Sequence, residues 1–311
     1  MICPHPKIKS AKRHHMNTND NLKDLVRRKY AEIASQDKAT NASSCCGAGG
    51  CSTEVYNIMT DDYAQVEGYV PDADLGLGCG LPTEHAGIRP GHTVLDLGSG
   101  AGNDCFVARN ITGPDGRVIG VDFTPEMIAK AKENAQKLGF QNVEFRQGDI
   151  EKLPLSACMV DVVVSNCVLN LVPDKKKAFS EVLRVLRPGG HFSISDVVLN
   201  GELPEKLKGA AEMYAGCVSG ALQEKDYLRI VEGAGFEDMQ VRKRKPIIIP
   251  DDILGQYLTA EEIVSYKQSG SGIFSITLYA HKPMDSCCAP ETTSNKKDTG
   301  LEGCDLGVAC C

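Results

Sequence analysis

Three cysteines stand where a thiol could act as a soft ligand: Gly78-Cys79-Gly80, Ser165-Asn166-Cys167-Val168 and Gly216-Cys217-Val218-Ser219-Gly220. Soft thiolates select soft, thiophilic centres over hard cations. Glycines beside a cysteine allow close backbone approach. Simple packing stays open for each of the three taken singly, because Cys without a ligand behaves as a small hydrophobe. Packing is the favoured reading for Cys105 and Cys158. A second chemical locus is Asp96-Leu97-Gly98-Ser99-Gly100-Ala101-Gly102-Asn103. Its spacing is G-x-G-x-G. The dinucleotide fingerprint would need a third glycine at 103, where Asn stands. Asp122 lies twenty residues past Gly102, followed by Phe123, and is placed to accept from ribose hydroxyls. Gly148-Asp149-Ile150 pairs an acceptor with an apolar group, which suits the amine and the face of an adenine ring. Asp96 offers an acidic group where a cationic amino-acid tail could sit.

Positioning these residues requires a regular scaffold, and the pattern from residue 92 onward supplies one. Strands are expected at 93–97, 117–122, 143–147, 160–165 and 191–196. Helices are expected from about 103, at 125–138 and at 175–186. The run 160–165 is nearly all apolar, as in a central parallel strand. Strand–helix alternation predicts a doubly wound α/β sheet. Further helices are expected at 22–36, 53–69, 203–215 and 224–234, and late strands at 236–242 and 273–281. Domain organisation follows: 1–75 as a helical, Cys-bearing extension, 76–200 as the nucleotide-type domain, 201–282 as an α+β subdomain completing the sheet, and 283–311 as a flexible arm. That arm is poor in large apolar residues and cannot fold alone.

Composition limits the partners. The 311 residues are 42% apolar and 24% charged, with formal net charge −7. An acidic chain argues against nucleic acid, and the basic run Arg242–Lys245 reads as a solvated strand end. The longest run of only apolar residues and Gly is seven, far short of the roughly 20 a membrane span needs. With no export signal visible, a cytoplasmic location is expected. The 14 cysteines are then expected to serve metal or redox chemistry rather than a disulfide scaffold.

The set D-x-G-x-G, Asp122 and Gly148-Asp149 resembles the class I S-adenosylmethionine-dependent methyltransferases. The resemblance implies a Rossmann-like seven-stranded sheet. It implies cofactor contacts from Asp96, Gly98, Ser99, Gly100, Gly102, Asp122, Phe123, Asp149, Ile150 and Asn166. The Asn/Asp-Pro-Pro-aromatic motif of nucleic-acid amino methylases is absent. Leu77-Gly78-Cys79-Gly80, Ser165-Asn166-Cys167-Val168-Leu169-Asn170-Leu171 and Gly216-Cys217-Val218-Ser219-Gly220-Ala221-Leu222 are similar to motifs of the arsenite methyltransferases. Cys45-Cys46-Gly47 looks like the N-terminal cluster of the microbial members. The resemblance implies that Cys79, Cys167 and Cys217 bind trivalent arsenic as thiolates, with arsenite or methylarsenite as acceptor. It also implies that a fourth cysteine, Cys51 ahead of Cys46, helps return the metalloid to the trivalent state, reset by a thiol reductant of thioredoxin or glutathione type. Cys287-Cys288 and Cys310-Cys311 could capture thiophilic metalloid and pass it inward. Two alternatives remain at this stage: a quinone or lipid methyltransferase with structural cysteines, and a non-catalytic thiol protein that sequesters metal or metalloid.

Overall fold

The computed structural model describes residues 18–35, 61–207, 218 and 220–286. Cys45, Cys46, Cys51, Cys217 and the cysteines of the arm lie outside the described residues.

Seven strands form one sheet: β1 (Thr93–Leu97), β2 (Arg117–Asp122), β3 (Val143–Gln147), β4 (Val160–Asn166), β5 (Leu186–Asn200), β6 (Glu237–Ile247) and β7 (Gly272–His281). Their order is β3-β2-β1-β4-β5-β7-β6. The first five run parallel, and β7 is antiparallel to both β5 and β6. The described residues include helices α1 (Thr18–Ala34), α2 (Pro82–His85), α3 (Asn103–Thr112), α4 (Pro125–Lys137), α5 (Lys175–Val185), α6 (Glu224–Gly233), α7 (Asp251–Tyr257) and α8 (Ala260–Gln268). Of the helix expected at 203–215, residues 205–207 are helical and 208–215 lie outside the described residues. The central strands are buried on both faces. Leu95, Leu97, Val160 and Val163 pack with α5 and α6 on one side, and Val94, Val162 and Val164 pack with α3 and α4 on the other. Two-sided burial is why the central strands read as continuous apolar runs. Strand order reverses between β1 and β4, which opens a crevice at their carboxyl ends. The Gly-rich turn after β1 and the Asn166-Cys167 step after β4 both fall there.

Several expectations need correction. The described part of the stretch expected as a 53–69 helix holds only a 3-10 turn, Tyr63–Gln65. Tertiary contacts win over local propensity here: Asp62 accepts from the Ala64 N–H at 2.9 Å, and the buried Tyr63 hydroxyl is drawn to Asp104 at 2.8 Å. Strand β5 runs well past Asp196 because β7 matches it residue for residue, from His191↔His281 to Asn200↔Gly272. Pro188-Gly189-Gly190 is absorbed as an irregularity where the register to β4 shifts. Helices α7 and α8 were not expected, although Thr259 and Glu262 form a capping box that the sequence spells out. In α1, Leu25 is 64% exposed. Residues 26, 30 and 33 share the inward face, and Ile33 packs with Met127 and Ala101. Cys158, at φ 56° on the loop that leads into β4, is disulfide-bonded rather than simply packed.

The basic run on β6 is not a solvated strand end. Arg242 donates to the His85 carbonyl at 2.7 Å and covers the Tyr279 ring. Lys243 and Lys245 both pair with Asp61, at 2.6 and 3.1 Å. Arg244 pairs with Glu224 at 3.1 Å. Three of the four cations in the run are therefore paired with carboxylates, and the fourth lies on a carbonyl and a ring.

Candidate active site

One cavity spans the crevice. Its wall includes Asp96, Gly98, Ser99, Gly100, Asp122, Phe123, Asp149, Ile150, Asn166 and Cys167, all but one of the residues expected to contact a cofactor together with one of the expected ligand cysteines. The exception is Gly102. It stands at φ 102° as the N-cap of α3, and a Cβ there would meet the Phe106 ring at 2.8 Å, so it faces the core. Gly98 and Gly100 adopt φ of 67° and 51°, the left-handed region that glycine enters without strain. Their turn is pinned to β2, because the Gly98 and Ser99 N–H groups donate to the Val121 carbonyl at 2.7 and 3.1 Å. Asp122, 8% exposed, accepts from Gly100 N at 3.0 Å and Thr124 N at 2.8 Å.

The wall carries five carboxylates: Asp74, Asp96, Asp104, Asp122 and Asp149. Burial pushes the Asp96 carboxyl well up, and the Asp104 charge adds to it. Burial also raises Asp104, to about 6. Such a wall favours a cationic occupant. Two buried polar atoms in the same wall, Ser99 Oγ and Asn103 Oδ1, have no hydrogen-bond partner among the described residues. Buried polar groups are rarely left so. S-adenosylmethionine, which carries sulfonium and ammonium charges beside polar ribose and adenine, fits this donor and charge set.

Sequence reasoning missed three residues of the site. Lys23, from α1, reaches Asp149 and Glu151 at 2.7 Å each, so α1 covers the end of the cavity where adenine is expected. Tyr63 donates to both oxygens of Asp104, at 2.8 and 3.0 Å. Asp104 follows the glycine turn directly, and an acidic residue in the first turn of α3 was a legible signal. Cys105 is wholly buried, and its thiol donates to Asp96 at 3.2 Å, so it is a support for that carboxylate.

The thiol side of the crevice adjoins the cavity. Cys79 and Cys167 are 0% and 2% exposed and share one apolar cluster with Val197, Leu203, Val218 and Ile273. Cys167 stands at φ 60°, and its N–H donates to the Ser195 carbonyl at 2.7 Å. This turn ends β4 and places the residue on both the cavity wall and the cluster. Tyr227 lies close by: burial raises its phenol well up, with Asp196, Cys79 and Cys167 adding to the effect.

Two predictions arise here. Asp122→Ala is expected to weaken S-adenosylmethionine binding roughly 10- to 150-fold, the cost of hydrogen bonds to a buried charge. Calorimetry that finds unchanged cofactor affinity would remove Asp122 from the site. The second concerns Asp196, which burial raises from its ordinary 3.8 to about 7. The folded chain holds this proton more tightly than the unfolded chain. The stability it contributes is therefore full at acid pH and lost as pH rises through that window. Asp196→Asn, measured against wild type, should show a larger gain in melting temperature near pH 8 than near pH 5. An equal offset at both pH values would mean that Asp196 does not titrate between them.

A family model described as a methyltransferase domain matches residues 88–235. An arsenite methyltransferase from Halobacterium salinarum is 41% identical over 280 residues, which is 85% of this chain and 67% of that protein. An arsenite methyltransferase from Aquipseudomonas alcaligenes is 34% identical over 244 residues, 76% of this chain and 68% of that protein. Among solved structures, the arsenic (III) S-adenosylmethionine methyltransferase from Chlamydomonas reinhardtii superposes with a TM-score of 0.56 at 34% identity, covering 74% of each chain.

Proposed function

The chain belongs to the arsenite methyltransferase family, and from that premise we propose that Cys79, Cys167 and Cys217 hold trivalent arsenic at the mouth of the Asp96–Asp122–Asp149 cavity, with the cofactor held by Asp96, Gly98, Ser99, Gly100, Asp122, Phe123, Asp149 and Ile150. One observation supports this most directly. Cys167 belongs at once to the cavity wall and to the buried cluster that contains Cys79. A metalloid held by these thiols would adjoin whatever occupies the cavity.

S-adenosylmethionine, when bound, supplies an electrophilic methyl carbon. The chain's own residues do the rest. Asp122 and Asp149 are placed for the ribose and adenine, and the acidic wall for the positive charges. The cysteines exchange the hydroxides of arsenous acid for thiolates. A pyramidal tris-thiolate keeps the arsenic lone pair unshared, so the nucleophile exists without a general base. Holding it beside the methyl donor replaces a bimolecular encounter with an oriented one. Methylation takes arsenic formally to the pentavalent state. Two protein thiols, with Cys51 as one, return two electrons and close a disulfide, which an external dithiol or glutathione-type reductant reopens. The domain limits at 75, 200 and 282 follow the same reading, and so does a capture role for the thiols beyond 282. No described helix is long and apolar enough to cross a membrane.

The test is incubation of the full chain with arsenite, S-adenosylmethionine and a thiol reductant, followed by arsenic speciation. Methylated arsenic is the expected product. Cofactor turnover on a quinone or lipid, with none on arsenite, would favour the first alternative. Arsenite binding without cofactor binding would favour the sequestering protein.

A further inference from the structure

We infer that Asn166 is the positioning residue of the thiol site, its carboxamide clamping the Cys79 segment against the end of β4 where Cys167 emerges. The inference rests on the reading of Cys79 and Cys167 as arsenic ligands.

The need for a clamp follows from local structure. Cys79 lies between the 3-10 turn Pro71–Ala73 and the four-residue α2, in chain with no ladder of its own. Its backbone polar groups are nevertheless buried and must be met by tertiary contacts. Asn166 Oδ1 accepts from Cys79 N at 2.9 Å and from Gly80 N at 3.3 Å. Asn166 Nδ2 donates to the Gly80 carbonyl at 2.8 Å. The Cys79 carbonyl accepts from Ser275 Oγ of β7 at 2.6 Å. Two converging N–H donors fix which end of the carboxamide is oxygen, because a flipped amide would set donors against donors.

The carboxamide is itself held. Its nitrogen donates to the Tyr63 hydroxyl at 2.7 Å and to Asp104 at 3.3 Å, and Tyr63 is tied to the same Asp104. Turning Asn166 away would strand several buried polar groups at once. The glycines around Cys79 are the footprint of this clamp. Neither adopts a positive φ, so backbone freedom is not their purpose. A Cβ on Gly78 would lie 2.5 Å from Asn166 Nδ2, and one on Gly80 would lie 2.6 Å from Ser195 Oγ. The G-C-G motif is therefore the shape that lets Cys79 lie flat against Asn166 and Ser195.

Adjacent residues then divide the work. The turn at Cys167 places that thiol, and Asn166, one residue earlier, fixes the backbone that carries the other. Asn166 was expected to contact the cofactor. It does line the cavity, but both ends of its amide are engaged by protein. A thiol pair that must grip one atom tolerates little drift, since a site loosened by about 1 Å loses most of its function.

The experiment uses the full chain, with Asn166→Ala and Asn166→Asp beside wild type. Arsenite is titrated by calorimetry, arsenic–sulfur coordination is counted by X-ray absorption, and amide hydrogen exchange is followed in the peptide containing Cys79 and Gly80. In Asn166→Ala, exchange at residues 79 and 80 should rise roughly ten-fold or more, and arsenite affinity should fall by a similar factor. Sulfur neighbours should fall below the wild-type number, and S-adenosylmethionine affinity should stay within about three-fold of wild type. Asn166→Asp keeps the acceptor for both N–H groups but puts a carboxylate oxygen against Asp104 and the Gly80 carbonyl. It should fall between the two, and it serves as the test if the Ala variant does not fold. Unchanged exchange and unchanged arsenite affinity would overturn the inference, as would a larger loss for S-adenosylmethionine than for arsenite. If wild type itself does not bind arsenite, the ligand reading fails instead, while the exchange comparison still decides whether Asn166 clamps the segment.

Discussion

Cys167→Ser is expected to lower arsenite methylation by at least roughly two orders of magnitude, because a hard hydroxyl oxygen replaces a soft ligand. The fold should survive. The substitution is nearly isosteric, Ser tolerates the same φ of 60°, and an unmatched buried hydroxyl costs only about 1–3 kcal/mol. Cofactor affinity should change little, since Cys167 contributes one edge of a long wall. Cys79→Ser should have an equal effect, and the double variant should be no worse than either single one, because ligands of one centre act as a unit. Cys105→Ser provides the contrast. That residue is as buried as Cys79, but its thiol faces Asp96, and a hydroxyl can donate there equally well. It should keep methylation within several-fold of wild type. Product speciation, melting temperature and arsenic X-ray absorption together check these outcomes. A Cys167→Ser variant that methylates arsenite normally with an unchanged sulfur count would remove Cys167 from the site.

What was legible in the sequence was whatever depends on local pattern. β1, β2 and β3 begin and end where apolar alternation and turn residues place them, and Pro125 and Asn103 begin their helices at the expected positions. The residues that line the cavity were readable because the turns after successive parallel strands converge at the carboxyl ends of the sheet. What was not legible depends on contacts far apart in the chain. The length of β5 is set by β7, some eighty residues later, and nothing within Pro188-Gly189-Gly190 announces it. Residues 61–69 were expected to continue a helix, yet Tyr63 is claimed by Asp104, forty-one residues away. The β6 cations read as solvated because Asp61 is more than one hundred and eighty residues distant. The clamp inferred for Asn166 was out of reach for the same reason: its position beside a cavity was inferable, but its partners in the Cys79 segment were not.

The glycine turn yields the second large effect, because Gly98 and Gly100 share a backbone conformation but face different surroundings. Both lie in the left-handed region, where an L side chain costs about 1–2 kcal/mol. A Cβ on Gly98 would strike the methyl groups of Val168, the neighbour of Cys167. Overpacking of that kind adds about 1–3 kcal/mol. A Cβ on Gly100 would meet nothing within 4 Å, because it would project into the cavity. The two alanine variants should therefore separate stability from binding. Gly98→Ala should lower the stability of the cofactor-free chain by about 2–5 kcal/mol, read as the urea midpoint at constant slope. Gly100→Ala should lose only the strain, about 1–2 kcal/mol, yet bind S-adenosylmethionine at least roughly a hundred-fold more weakly, since its methyl occupies space the cofactor needs. Stability is measured first, without ligand, and binding is then titrated well below the unfolding midpoint, so that a loss of folded protein is not mistaken for a loss of affinity. If Gly100→Ala binds S-adenosylmethionine as wild type does, the turn does not cradle the cofactor. The carboxylates of β2 and of the loop after β3 would then have to hold it alone.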